Sequence, residues 1–157
     1  MPGGDERGPR SGPSHLGKRR QGTHIRWHDE PMIGRLHHVV IDTADPDGLA
    51  AFYSELLGLP VTHRDPDWVV VSADATTSGL AFQLAPDHQA PQWPDPQRPQ
   101  QFHLDVMVDD IELAAVAAQA LGARRLESPS EEWAVFADPA GHPFCLVPRP
   151  GWAPPIG

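Results

Sequence analysis

The chain has 157 residues, enough for one domain with a real core, and its single cysteine excludes an intramolecular disulfide framework. Residues 34–157 carry six arginines against seventeen Asp and Glu, so this body repels phosphate backbones and argues against nucleic acid as a partner. No apolar run reaches the length of a membrane span and the N-terminus lacks the apolar centre of a secretory signal, which together point to a soluble, cytoplasmic protein.

Residues 1–33 are rich in Gly, Pro, Arg and Ser and poor in apolar residues, so burial cannot offset the entropy of ordering them. A disordered tail is expected there. Two origins stay open: a genuine extension, or an upstream start codon with Met32 as the functional beginning. His15, His24 and His28 lie in this stretch and are read as solvated rather than as metal ligands.

Ordered structure is expected from Gly34. Leu36 to Thr43 reads as a strand, β-branched in its middle. Asp45-Pro46 starts a helix, Asp as N-cap and Pro at the first helical position. Leu49, Phe52, Tyr53, Leu56 and Leu57 form its buried stripe, and Gly58 closes it. A short strand is expected at Val61–Arg64, then paired strands at Trp68–Ser72 and Gly79–Leu84 around the polar turn Asp74–Ser78. The segment from Pro86 to Gln101 holds five prolines and no periodicity, which makes it a semi-rigid connector. A second set follows: strand Phe102–Val108, helix Asp110–Leu121, strands near Arg124–Glu127, Trp133–Ala137 and Phe144–Val147, with the turn Asp138-Pro-Ala-Gly141. Ile111, Ala114, Ala115, Ala118 and Leu121 supply the buried face of the second helix. The expected organisation is a tail over 1–33, a domain over 34–148 and a Pro/Gly-rich tail over 149–157. Within the domain, module one spans 34–86, the connector 87–101 and module two 102–148.

The two sets are one unit written twice. His38-Val-Val-Ile-Asp matches His103-Leu-Asp-Val-Met, and Trp68-Val-Val-Val matches Trp133-Ala-Val-Phe, both 65 residues apart. Ala81-Phe-Gln-Leu-Ala-Pro86 matches Pro143-Phe-Cys-Leu-Val-Pro148 at an offset of 62. A repeat of this length implies a βαβββ unit used twice, whose equivalent positions can converge on a pseudo-twofold axis. The expected fold is therefore α+β, with two curled mixed sheets around a central pocket.

Strand alternation assigns faces. Leu104, Val106 and Val108 share the face suited to a helix, leaving His103, Asp105 and Met107 on the other. Phe144 and Leu146 oppose Cys145; Phe82 and Leu84 oppose Gln83; Val39 and Ile41 oppose His38, Val40 and Asp42. The polar repeat positions His38, Gln83, His103 and Cys145 thus all point to the concave side. His37 lies on the face opposite His38 and is read as structural or as a rim residue. Trp68 and Trp133 are assigned to the core. Trp93, in the connector, is read as a lid or a dimer contact, and His142 as a turn residue at the pocket entrance. No Gly-rich phosphate loop, CxxC pair or GxSxG elbow is present.

Over roughly residues 35 to 148 the sequence resembles the vicinal oxygen chelate superfamily, and most of all its small bacterial glyoxalase-like domain proteins. The resemblance rests on Leu36-His-His-Val-Val with Phe52-Tyr53 and Leu57-Gly58, on His103 before Val108-Asp109-Asp110, and on Asp138-Pro-Ala-Gly-His-Pro-Phe. It implies a divalent metal (zinc, nickel, manganese or iron) held by His38, Gln83, His103 and Cys145. It also implies a small substrate with vicinal oxygens, contacted by Gln83, Trp93, Met107 and His142, and a homodimer as many relatives form. Cys145 stands where the metal enzymes of the superfamily normally carry Glu, and Gln83 cannot act as a base. Cys145 and Asp105 are then the candidate catalytic groups. Asp42 and Asp105 either replace the missing carboxylate or orient a histidine. Two functions follow from the resemblance: a metal-dependent lyase, isomerase or oxygenase, or a metal-free small-molecule binding protein of the bleomycin-resistance type.

Overall fold

The structure is a computed structural model that describes residues 34–156; the expectations for the N-terminal tail and for Met32 lie outside the described residues. In chain order the elements are β1 (His38–Thr43), α1 (Pro46–Leu57), β2 (Val61–Asp65), β3 (Trp68–Val71), β4 (Gly79–Leu84), β5 (Leu104–Val108), α2 (Ile111–Ala120), β6 (Arg124–Arg125), β7 (Ala134–Ala137) and β8 (Pro143–Pro148). They form two four-stranded sheets, ordered β1-β4-β3-β2 and β5-β8-β7-β6. The first strand of each sheet pairs in parallel with the last, and the remaining pairings are antiparallel. Neither sheet closes into a barrel, and the architecture is the α+β pair of βαβββ modules that the repeat implies.

Local chemistry sets the helix ends. The Asp45 carboxylate accepts from the Gly48 amide at 2.9 Å, and Pro46 follows with φ already suited to the first turn. Gly58 ends α1 with φ 63°, a conformation in which any side chain costs energy. Asp110 repeats the cap at α2 through the Leu113 amide at 3.0 Å.

One core serves both modules. Tyr53 on α1 stacks on Phe82 of β4, with ring centroids 5.4 Å apart, and meets the edge of Phe144 of β8 at 6.4 Å. Phe52 reaches the same Phe144 at 5.9 Å, and Phe144 stacks on Phe136 at 5.6 Å. Such pairs add to the area term that drives the modules together. The buried carboxylate of Asp138 completes the contact by accepting the Tyr53 hydroxyl at 3.0 Å. The same carboxylate accepts from the Ala140 and His142 amides at 2.9 Å each, so its turn is pinned as well. With the helices on one face of each sheet, the other face is left for a site.

Candidate functional site

The strongest concentration of chemistry lies on the free face of the second sheet. Asp105 of β5 and Cys145 of β8 are direct partners in a parallel pair, so their side chains leave the sheet side by side. His103 precedes Asp105 by two residues and shares its face. The three bring an imidazole nitrogen, a carboxylate oxygen and a thiol within 4.8 Å of one another. His103 Nε2 lies 3.3 Å from Asp105 Oδ1, and the Gln100 amide lies 3.5 Å from its Nδ1. Burial first, and then the charge and hydrogen bond of Asp105, push the Cys145 thiol up to about 11. Without a cation beside it, Cys145 is therefore a neutral thiol at physiological pH.

These groups floor a pocket of about 370 Å³ walled by Trp93 and Trp133, with Pro129, Val135 and Val147 around them. Trp93 comes from the connector, and its indole N–H donates to the Glu127 carbonyl at 3.3 Å, which fixes the ring against module two. Asp105 is the single carboxylate that lines this pocket.

The other expected ligands lie elsewhere in the chain. His38 lines a separate depression of about 320 Å³ in module one, with His37, His63 and Trp68. Its ring lies 3.8 Å from that of His37, and burial, followed by the His37 charge, lowers its pKa. Gln83 and Asp42 line a third and larger cavity where the connector meets both modules, together with His142. Met107 borders a groove beside α2. Within one chain, His103, Asp105 and Cys145 are brought together, while His38 and Gln83 join neither them nor each other.

Strand register explains the separation. Gln83 pairs with Asp42, and Ala81 with Val40, on the module-one strands; Cys145 pairs with Asp105 on the module-two strands. Across the antiparallel neighbour, Val70 faces Ala81 and Val135 faces Cys145. With His38 matched to His103 and Trp68 to Trp133, the counterpart of Cys145 is Ala81, and Gln83 matches Val147. The equivalence drawn from sequence between Gln83 and Cys145 is off by two residues. A slip of two keeps every side chain on its expected face, which is why alternation alone does not reveal it.

Trp133 and Trp68 also depart from the core positions assigned to them. Both are half-buried, and both line pockets. The signal was present in β7: Ala134 and Phe136 pack inward, so parity already places Trp133 and Val135 on the free face beside Cys145. Trp93 is a wall of the same pocket. Gln100 and Pro129 carry no sequence signal of their own, because they enter the site from aperiodic segments.

Comparison with known proteins agrees with this fold. The sequence model of the glyoxalase-like domain matches residues 38–147. No curated protein sequence matches the chain. Among solved structures, a glyoxalase/bleomycin resistance protein/dioxygenase family enzyme from Burkholderia phytofirmans PsJN superposes with a TM-score of 0.57 at 22% identity, over 73% of this chain and 98% of that one. The trypanothione-dependent glyoxalase I of Leishmania major gives 0.53 at 19% identity, over 73% and 86%. An antibiotic-binding protein from Streptomyces sp. CB03234 gives 0.50 at 19% identity, over 77% and 100%. These likenesses share the fold, and with the match over most of the described residues they lead to one assignment: the chain belongs to the glyoxalase-like domain family of the vicinal oxygen chelate superfamily.

Proposed function

We propose that this protein binds a small, planar, positively charged organic molecule in the module-two pocket. The observation that carries the reading is the pairing of two indole walls, Trp93 and Trp133, with Asp105 as the one carboxylate of the lining. Aromatic faces and a single negative charge favour a cation sandwiched between rings. The acidic body of residues 34–157 adds a long-range field of the same sign. Fold neighbours include both a glyoxalase I and an antibiotic-binding protein, so the side chains rather than the fold decide between functions.

A second reading is supported by the donor group. An imidazole, a carboxylate and a thiol within 4.8 Å suit a divalent ion of the zinc type, with three protein ligands and an open position. When bound, such an ion stabilises the thiolate and polarises a substrate bearing neighbouring oxygens. His103, Asp105 and Cys145 would hold it. Proton-transfer catalysis then lacks a base, because the one carboxylate of the pocket is already a ligand. Binding is accordingly preferred over a lyase, isomerase or oxygenase activity.

Titration of the full chain with proflavine, followed by tryptophan fluorescence, tests the first reading. Saturable quenching that weakens in Trp133→Ala and Asp105→Asn is the expected result. In parallel, equilibrium dialysis against zinc or nickel is performed with the wild type, His103→Ala and Cys145→Ala. Stoichiometric metal lost in both variants, with no saturable proflavine binding, would replace the first reading by the second.

A further inference from the structure

A cavity larger than the module-two pocket lies apart from it. It measures about 650 Å³ and lies where sheet one, the connector and the turn after β7 meet. Four glutamines and two histidines, side chains that both give and accept hydrogen bonds, share its lining with six apolar residues. The side-chain amides of Gln83, Gln97 and Gln101 all face it, and none of them bonds to another described side chain or backbone group. Each offers two N–H donors and a carbonyl acceptor. Charge in the lining is balanced: Asp42 is its one carboxylate, and Arg98, held by the Gln89 carbonyl at 3.1 Å, its one guanidinium.

Two stacked imidazoles complete one wall. His88 and His142 lie with ring centroids 4.7 Å apart and planes tilted by 28°. The Ala140 carbonyl can only accept, so His88 Nε2, 3.1 Å away, carries the proton. The Asp138 carboxylate likewise fixes the proton of His142 on Nδ1, at 3.2 Å. In its neutral form, each ring so oriented leaves its other nitrogen as an acceptor. Phe102, 44% exposed, adds an apolar ring face to this polar surround.

We infer that this junction cavity is a second binding site, for an uncharged polyhydroxylated molecule of the saccharide type. Paired hydroxyls match the donor–acceptor pairs of these glutamine amides, and the C–H face of a sugar ring matches Phe102. An ion of either sign gains from one of Asp42 and Arg98 what it loses to the other, whereas a neutral polyol uses both. The volume lies within the range of small-molecule sites, roughly 300–1,000 Å³. The site is distinct from the tryptophan-walled pocket and does not depend on what that pocket holds.

Saturation-transfer NMR on the full chain with glucose, galactose, maltose and cellobiose tests the inference, with glucuronate and glucosamine as charged comparisons. At least one neutral sugar is expected to bind. Gln83→Ala and Gln101→Ala should each weaken it about tenfold, the ratio that a loss of about 1.4 kcal/mol produces. Both residues are exposed, so unchanged thermal melts will show that the variants fold. Trp133→Ala, which opens the other pocket, should leave sugar affinity unaltered. No binding by any neutral sugar, a preference for either charged sugar, or a loss confined to Trp133→Ala would overturn the assignment.

Discussion

Tyr53 and Asp138 form a buried hydrogen bond across the two modules, from the helix of the first to the turn of the second, at 3.0 Å. Asp138 has three further donors in its own module: the Ala140 and His142 amides and the His142 ring. Tyr53→Phe removes one donor and leaves the carboxylate otherwise satisfied, so a loss of about 1 kcal/mol is expected. Asp138→Ala strands the tyrosine hydroxyl and two amides together and should cost several times as much, on the order of 3 kcal/mol. Urea denaturation of the two variants measures the difference.

The same pair sets a pH dependence. Burial first, and then the Asp138 charge, raise the Tyr53 hydroxyl above its ordinary value. A group whose pKa is raised on folding contributes stability that is complete below its unfolded value, about 10 for tyrosine, and is lost as pH rises further. Alkaline titration should therefore destabilise the wild type from about pH 10 upward. Tyr53→Phe should flatten that limb, and a wild-type melting temperature that does not fall there would refute the assignment.

Two glycines separate backbone strain from collision. Gly58 has φ 63° and open space where a Cβ would go, so Gly58→Ala pays only the left-handed penalty, about 1 kcal/mol. Gly79 has no such φ, yet a Cβ there would run into the Val71 carbonyl oxygen and Ser72 of the neighbouring strand. Gly79→Ala should cost more, on the order of 2–3 kcal/mol. Equal losses in calorimetry would argue against the β3–β4 register.

The Arg149 guanidinium and then the Ile156 amide hold the Asp109 carboxylate below its usual range. A depressed carboxylate contributes stability above its unfolded value, about 3.9, and loses it as pH falls through the folded value. Asp109→Asn should lower the melting temperature slightly at neutral pH, with the gap to wild type closing below about pH 3. Faster hydrogen exchange at Ile156, whose amide bonds to Asp109 at 2.9 Å, should accompany it.

Strand register makes a sharper demand on module one. If Val40 and Ala81 occupy the places of Asp105 and Cys145, then Val40→Asp with Ala81→Cys rebuilds the donor set beside His38. Cadmium–thiolate absorbance should rise in that double variant. Gln83→Cys, two residues further along, should give no such gain. A gain from Gln83→Cys alone would restore the equivalence that the sequence implies.

The helices and most strand limits were legible because caps, stripe and alternation are local. Asp45, Gly58 and Asp110 announce their roles, and Val39, Ile41, Phe82 and Phe144 announce a helix-facing side. The site was legible only as a face. Which residues of that face meet depends on how far parallel strands slide, and Gln83 and Ala81 obey the same period of two. Trp133 was obscured by its own hydrophobicity, which fits a core and a pocket wall equally well. Trp93 and Gln100 reach the pocket through a proline-rich segment whose path no period encodes.

That segment supplies Trp93 and Gln100 to one chamber and Gln89 and Arg98 to the other. Both chambers thus share a partition that belongs to neither sheet. Exchanging its side chains would retune what each admits while every ladder pairing stayed in place, so ligand choice in this architecture can diverge faster than the scaffold beneath it.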